Sequence, residues 1–183
     1  MKRSILIILS LAILLHAQVF NTARTLNKSK LSATGGYGFY DGGGVVVAKF
    51  GYGLGNQRDL ALTMGFGDFS YLGLDFEKVL PWENLDYLTM SLAPGIHYSD
   101  GFVLDLTWNC SVPLDKSLIL FSGLDMDLLI NEGSGVPLSW FVGMELAFQR
   151  RLTLLGEYDL GLNNAGNCFG LGLCFYFSGI AIK

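Results

Sequence analysis

From about residue 30 onward, apolar and polar positions alternate along the chain, and Phe102 to Val112 shows the pattern most plainly. Phe102, Leu104, Leu106, Trp108, Cys110 and Val112 fall on one face, with Val103, Asp105, Thr107, Asn109 and Ser111 on the other. A repeat of two is the signature of a β-strand with one apolar face. The polar face holds small or acidic residues, whereas the outside of a soluble barrel would mix Lys with Glu. The asymmetry therefore predicts lipid against the apolar face and water against the other.

The same pattern recurs along the chain. Leu31 to Tyr40 turns at Asp41-Gly42-Gly43-Gly44 into Val45 to Leu54, whose lipid face is Val46, Ala48, Phe50, Tyr52 and Leu54, with Lys49 opposite. Gly55 to Arg58 closes the next turn. Leu60, Leu62, Met64 and Phe66 mark a third strand; Leu72, Leu74 and Phe76 mark a fourth, with Tyr71, Asp75 and Glu77 on its other face. Val79 to Asp86, with Pro81 and Trp82, reads as a loop. Leu88, Met90 and Leu92 carry a fifth strand, in which Pro94 is tolerable only at an edge, end or bulge. After the Phe102 strand, a turn at Pro113 to Lys116 leads to Leu118 through Leu128, and a loop at Asn131 to Val136 leads to Leu138 through Phe148. Arg150-Arg151 turns the chain into Leu152 to Leu162, and Asn163 to Asn167 turns it into Phe169 through Phe177. The expectation is an all-β, antiparallel up-and-down transmembrane barrel of about ten strands, with eight or twelve as the neighbouring even counts. Each strand has about 9 to 11 residues, the length that crosses a bilayer at a tilt near 45°.

Composition supports this reading. The chain has 183 residues, of which 51% are hydrophobic and 15% charged, more apolar than typical soluble domains. The apolar run Ile5 to Leu15, interrupted by Ser10, is too short for a helix that crosses a hydrocarbon core, which takes ~20 residues. With Lys2 and Arg3 before it and Leu15-His16-Ala17 after it, the run reads as a secretory leader over residues 1–17, cleaved before Gln18. Residues 18–29 are polar and aperiodic and are expected to be a flexible N-terminal segment. Residues 30–183 form the barrel.

Charge sorts by connection. In a barrel with an even number of strands both termini lie at one end, and successive connections alternate between the ends. Connections one, three, five and seven carry Asp41, Asp68, Asp100 and Glu132, whereas two, four, six and eight carry or adjoin Arg58, Lys78, Lys116, and Arg150 with Arg151. Lys28, Lys30 and Lys183 add to the basic end. On the apolar face, Phe39, Phe66, Phe102, Trp140 and Phe169 fall near the acidic end and Tyr52, Phe148, Phe175 and Phe177 near the basic end. Two aromatic girdles around an aliphatic belt match the two membrane interfaces.

From about Lys30 to Phe177 the chain resembles the small outer-membrane β-barrels of Gram-negative bacteria, on its alternation, girdles and leader. The resemblance implies a place in the bacterial outer membrane, with lipid and the barrel-assembly machinery as partners. Members usually finish on an aromatic residue that this machinery reads; here Phe177 is followed by Ser178-Gly179-Ile180-Ala181-Ile182-Lys183. A soluble lipocalin-like binder with its apolar face inward is the alternative.

The inward face carries the candidate chemistry: Asp75, Glu77, Asp105, Asp125, Asp127, Glu145, Glu157 and Asp159, opposed by Lys49. Buried unpaired charges cost several kcal/mol, so these acids need water, cations or protons. Asp105, Asp125, Asp127 and Asp159 are the candidate cation-lining residues, and small cations the candidate passengers. If the sixth and seventh strands pair across Pro113 to Lys116, Asp105 falls close to Asp125 with Asp127 one pleat beyond, a group able to hold a hard cation such as calcium. A wet acidic lumen, structural or a narrow passive pore, accounts for the same residues without a dedicated site. Inward Tyr71, Tyr87, Phe121, Phe141 and Tyr176 are large enough to fill it.

No cofactor or metal site is expected from motif spacing. His16 lies in the leader, so His97 has no histidine partner, and the Gly42-Gly43-Gly44 run precedes a strand rather than a helix, which makes it a turn and not a phosphate cradle. Cys168 and Cys174 are separated by roughly 20 Å of strand, beyond bridging distance, and Cys110 is likewise read as a packing residue. The net charge of -4 and the lack of a Lys/Arg cluster exclude a strongly basic nucleic-acid binder. His97-Tyr98-Ser99 is similar to the His-x-Ser signature of outer-membrane lipid A deacylases. The downstream carboxylate of those enzymes would fall near Ser111, and alternation points His97 inward, so a barrel without catalysis is the expected function.

Overall fold

A computed structural model describes residues 20–40, 42–81, 87–99, 101–129 and 136–177. Ten strands form a closed antiparallel barrel: β1 Leu31–Tyr40, β2 Gly43–Gly53, β3 Arg58–Gly67, β4 Tyr71–Val79, β5 Thr89–Tyr98, β6 Phe102–Pro113, β7 Leu118–Leu129, β8 Leu138–Gln149, β9 Leu152–Asn163 and β10 Cys168–Tyr176. Neighbours in sequence are neighbours in the sheet, and β1 closes on β10 from Ser32↔Tyr176 to Tyr40↔Cys168. Closure leaves no unpaired edge, which is the condition for a sheet to sit in lipid. Strand lengths of 9 to 12 residues match the expected crossing.

The alternation resolves into an inside and an outside. Large apolar side chains project outward all round the barrel: Val46, Phe50, Leu62, Leu74, Leu104, Leu120, Val142, Leu154 and Leu173 are each between 38% and 53% exposed. A soluble barrel does not present a continuous apolar belt of this extent, so the lipocalin-like alternative, which needs these residues inside, is set aside. The girdle aromatics also lie on the outside. Phe39 stacks on Phe169 with ring centroids 6.2 Å apart at the acidic end, and Phe175 meets Phe177 edge-on at 5.2 Å at the basic end.

Three sequence expectations shift. The fifth strand starts at Thr89 rather than Leu88. Pro94 lies inside β5, at neither an edge nor a bulge; the β4–β5 pairing lapses opposite Phe76 and Glu77 and resumes in the same register at Lys78↔Leu92, while Pro94 keeps its place beside Leu106 of β6. The ladder thus absorbs the missing donor as a local gap. The largest shift concerns the N-terminal segment: flexibility is expected over residues 18–29, but residues 20–26 run inside the barrel. Phe20 and Ala23 are buried, and the segment leaves at the basic end, where Ser29 N–H donates to the Gly53 carbonyl at 2.8 Å, before entering β1. Segment and lumen each hold polar groups that the other satisfies, which amphipathic periodicity does not register.

The leader over 1–17, Asp41, Asp100, most of the Val79–Asp86 loop, residues 131–135 and the tail after Phe177 lie outside the described residues. The remaining turns follow the expected parity. Asp68 at the acidic end accepts the Gly44 N–H of the neighbouring hairpin at 2.7 Å, and Arg58 sits across from Lys78 at the basic end.

Candidate functional site: the lumen

The lumen has an apolar side and an acidic side. Val45 and Val47 from β2, Tyr71 from β4, Leu155 from β9, and Cys168 and Cys174 from β10 pack together around Phe20. Toward the acidic end Phe69 meets Tyr40 edge-on at 5.2 Å and stacks on Tyr71 at 6.2 Å. The Phe20 ring rests on the paired glycines Gly36 and Gly172. A Cβ built on Gly172 would approach the ring to 2.7 Å, and one on Gly36 to 2.5 Å. Farther round, Phe121 and Phe141 lie across from Gly143 and Gly123 and meet at 6.4 Å, both fully buried. Of the five aromatics expected inside, Tyr71, Phe121 and Phe141 are buried and Tyr176 partly so. Tyr87 is 63% exposed in the fourth connection, because the chain has not yet entered β5 there.

The four candidate cation-lining residues all face inward and are buried, but they do not form one group. Asp105, Asp125 and Asp127 sit together on β6 and β7; Asp159 stands apart on β9, across from Cys168 and Phe141. The register also differs from expectation. Asp105 faces Asp127, and Asp125 faces Thr107, whose hydroxyl donates to it at 2.8 Å. The hairpin pairs Pro113 with Ile119, which places its turn one residue later than Pro113 to Lys116 and slides the facing residues by two. In that turn Asp115 accepts the Ser117 N–H at 2.6 Å, the Ser117 hydroxyl at 2.8 Å and the Leu118 N–H at 2.8 Å. These donors hold its carboxyl below the usual carboxylate range.

Two charged groups outside the expected inward set, Asp59 and Arg24, join Glu157 and Lys49 in the lumen. Asp59, at the start of β3, is buried and accepts the Leu26 N–H at 2.9 Å. Arg24 arrives with the N-terminal segment and donates to Glu145 at 2.9 Å. Glu157 accepts the Phe20 N–H at 2.9 Å and the Asn21 N–H at 2.7 Å, and Lys49 donates to the Phe20 carbonyl at 3.2 Å. Ala23 N–H reaches the Ser111 hydroxyl at 2.9 Å. The excess of inward acids over inward bases was the available signal that another donor-bearing element belonged inside. Glu77 binds the hydroxyl of Ser91 and, at 3.4 Å, the Asn109 amide, which places it below Asp75 in a second polar layer. His97 faces inward as expected. It lies 3.0 Å from Asp75 and 3.4 Å from Asp105.

On the basic-end side the segment leaves a cavity of about 80 Å³, bordered by Arg24, Lys49, Asp59, Glu77 and Glu145. A second cavity, of about 250 Å³, opens beside Arg24, Ser111, Lys116 and Ala147. Both have charged and polar groups among their walls and room for water.

No protein-family model matches the sequence. No curated protein matches it either. The fold is similar to that of solved barrels. One is the COG4313 outer membrane channel from Pseudomonas putida F1, at 9% identity over 88% of this chain and 100% of that one, with a TM-score of 0.60. Another is the NanC porin, at 11% identity over 79% of this chain and 98% of that one, with a TM-score of 0.56. At such identities the likeness is one of fold.

Proposed function

We propose that this chain is an outer-membrane barrel with a narrow, cation-favouring lumen, obstructed in the state described by its own N-terminal segment. Its apolar belt and girdles support the location, and the channel and porin names of its structural neighbours agree with it. Export by a cleaved leader and insertion by the barrel-assembly machinery belong to this reading, as does a periplasmic position for the basic end and both termini. The observation that carries the cation preference is the imbalance of inward charge. Asp59, Asp75, Asp105, Asp125, Asp127, Glu145, Glu157 and Asp159 are buried in the lumen, and Glu77 joins them through Ser91 and Asn109; Lys49, Arg24 and His97 oppose them. Rows of Asp and Glu select cations in pores. A ten-stranded barrel is barely wider than one that side chains can fill, and Phe20, Phe121 and Phe141 occupy much of the space.

The role is passive on this reading. His97 turns into the lumen against Asp75 and Asp105, away from the lipid that a deacylase would attack. Planar-bilayer recording on the purified barrel tests the proposal. The intact protein should conduct weakly, a variant lacking residues 18–29 should conduct several-fold more, and both should prefer cations. Asp105→Asn combined with Asp125→Asn should weaken that preference. Anion preference refutes the cation reading, and silence of both proteins refutes conduction.

A further inference from the structure

We infer that Asp75, His97 and Asp105 form a binding site for a first-row divalent cation such as Zn²⁺, built across strands β4, β5 and β6. Asp75, Gly95 and Asp105 lie in one row of the sheet, with Gly95 between the two acids. Adjacent strands are about 4.8 Å apart, so the two backbones stand roughly 9–10 Å from each other. Their carboxylates nevertheless converge above the glycine, and one oxygen of each lies with His97 Nε2 in a group whose members are all within 4.8 Å. A Cβ on Gly95 would lie 2.3 Å from Oδ1 of both acids. The space in which they meet exists because residue 95 has no side chain. His97, next along β5, closes the group from above.

The spacing fits coordination. His97 Nε2 lies 3.0 Å from Asp75 Oδ1 and 3.4 Å from Asp105 Oδ1. Ligands at about 2.1 Å from an ion are separated by roughly 3.0 Å at an octahedral corner and 3.4 Å at a tetrahedral one. One imidazole and two carboxylates are a donor set suited to zinc and its neighbours, whereas calcium and magnesium favour oxygen alone.

Charge leads to the same conclusion. The side chain of Asp105 is fully buried and that of Asp75 is 8% exposed, and Asp127 faces Asp105 from β7. The His97 imidazole brings at most one positive charge to the two acids it touches. A dication supplies two charges where the acids converge, which offsets the cost of burying them together. The site was not legible in sequence spacing because its ligands come from three strands and include a single histidine. It does not depend on whether the lumen conducts.

Metal-free barrel, purified in detergent, would be titrated with Zn²⁺ by calorimetry, and the temperature at which it loses its folded gel mobility would be read with and without the ion. One equivalent should bind, and the unfolding temperature should rise with Zn²⁺ concentration, as required when an ion binds only the folded state. Mg²⁺ should not compete at similar concentrations. His97→Gln should cost more than the roughly 10–100-fold typical of changes beyond the direct ligands. Gly95→Ala keeps all three ligands but forces the carboxylates apart, and should also weaken binding at least about tenfold. Folded gel mobility of each variant shows that the barrel is intact, and either variant that folds decides the matter. Absence of a single Zn²⁺ equivalent in the unaltered barrel, or affinity unchanged in a folded variant, would overturn the inference and leave His97 as a protonated counter-ion.

Discussion

Glu157 shows how much of this molecule rests on single side chains. Both of its oxygens receive backbone N–H groups, from Phe20 and Asn21, so one residue of β9 fixes the inner end of the N-terminal segment. Hydrogen bonds to a charged acceptor contribute about 1.5–3 kcal/mol each. Glu157→Gln keeps the shape but removes the charge and one acceptor, and should weaken the seat by about 1–2 kcal/mol. Amide exchange of Phe20 and Asn21 should then accelerate about tenfold or more, with the strand amides of β9 unchanged. Asp115 offers a test outside the membrane. Its carboxyl is held low by the Ser117 and Leu118 donors, so the stability it lends the turn is present above the ordinary carboxylate range and is lost as pH falls through its lowered value. Titration of its carboxyl carbon by NMR should show a midpoint below that of exposed carboxylates, and Asp115→Asn should abolish this pH dependence of the turn. The inward direction of Glu157 and the other lumen acids is readable from alternation. Their partners are not, because Asp105 faces Asp127 only by virtue of where the Leu114–Ser117 turn closes.

Among the elements, the strands and the N-terminal segment obey different rules. Each strand is specified by its own period of two and by the turn residues that bound it. The segment has no such period, and its position is set by the cavity it fills. Gly172 with its partner Gly36 makes room for the Phe20 ring. Gly172→Val suits a strand by propensity, so its main effect should come from the clash with Phe20 and cost about 1–3 kcal/mol. The segment should be displaced while β10 stays paired, seen as faster proteolysis near Arg24 together with unchanged heat-modifiable mobility. A variant whose proteolysis matched the unaltered protein would show that Phe20 is not what holds the segment.

For the whole molecule, topology and charge make a prediction about orientation. Odd connections and even connections lie at opposite ends of the closed barrel, with the start of β1 and the end of β10 at the basic end. A cysteine in place of the exposed Ser70, in the third connection, should react with a membrane-impermeant thiol reagent on intact cells. One in place of the exposed Lys116, in the sixth, should react only after the outer membrane is opened. The reverse result would invert the barrel. The native Cys168 and Cys174 are buried, and Cys110 is partly buried on the lipid-facing side of β6, so they add little background.

The sequence by itself determined the strands, their number to within one hairpin, the apolar face each turns outward and the end at which each connection lies. These follow from local alternation and from parity, which need no knowledge of how distant residues meet. Only the tertiary structure decided what fills the lumen. Residues 20–26 enter it because backbone N–H groups and carboxylates far apart in sequence satisfy each other, and Asp75, His97 and Asp105 converge because three strands happen to bring a glycine between two acids. Register and closure set those encounters. A period of two fixes which way a side chain points, but what it meets depends on the residue opposite, and that is fixed only when the turns close and the barrel joins its ends.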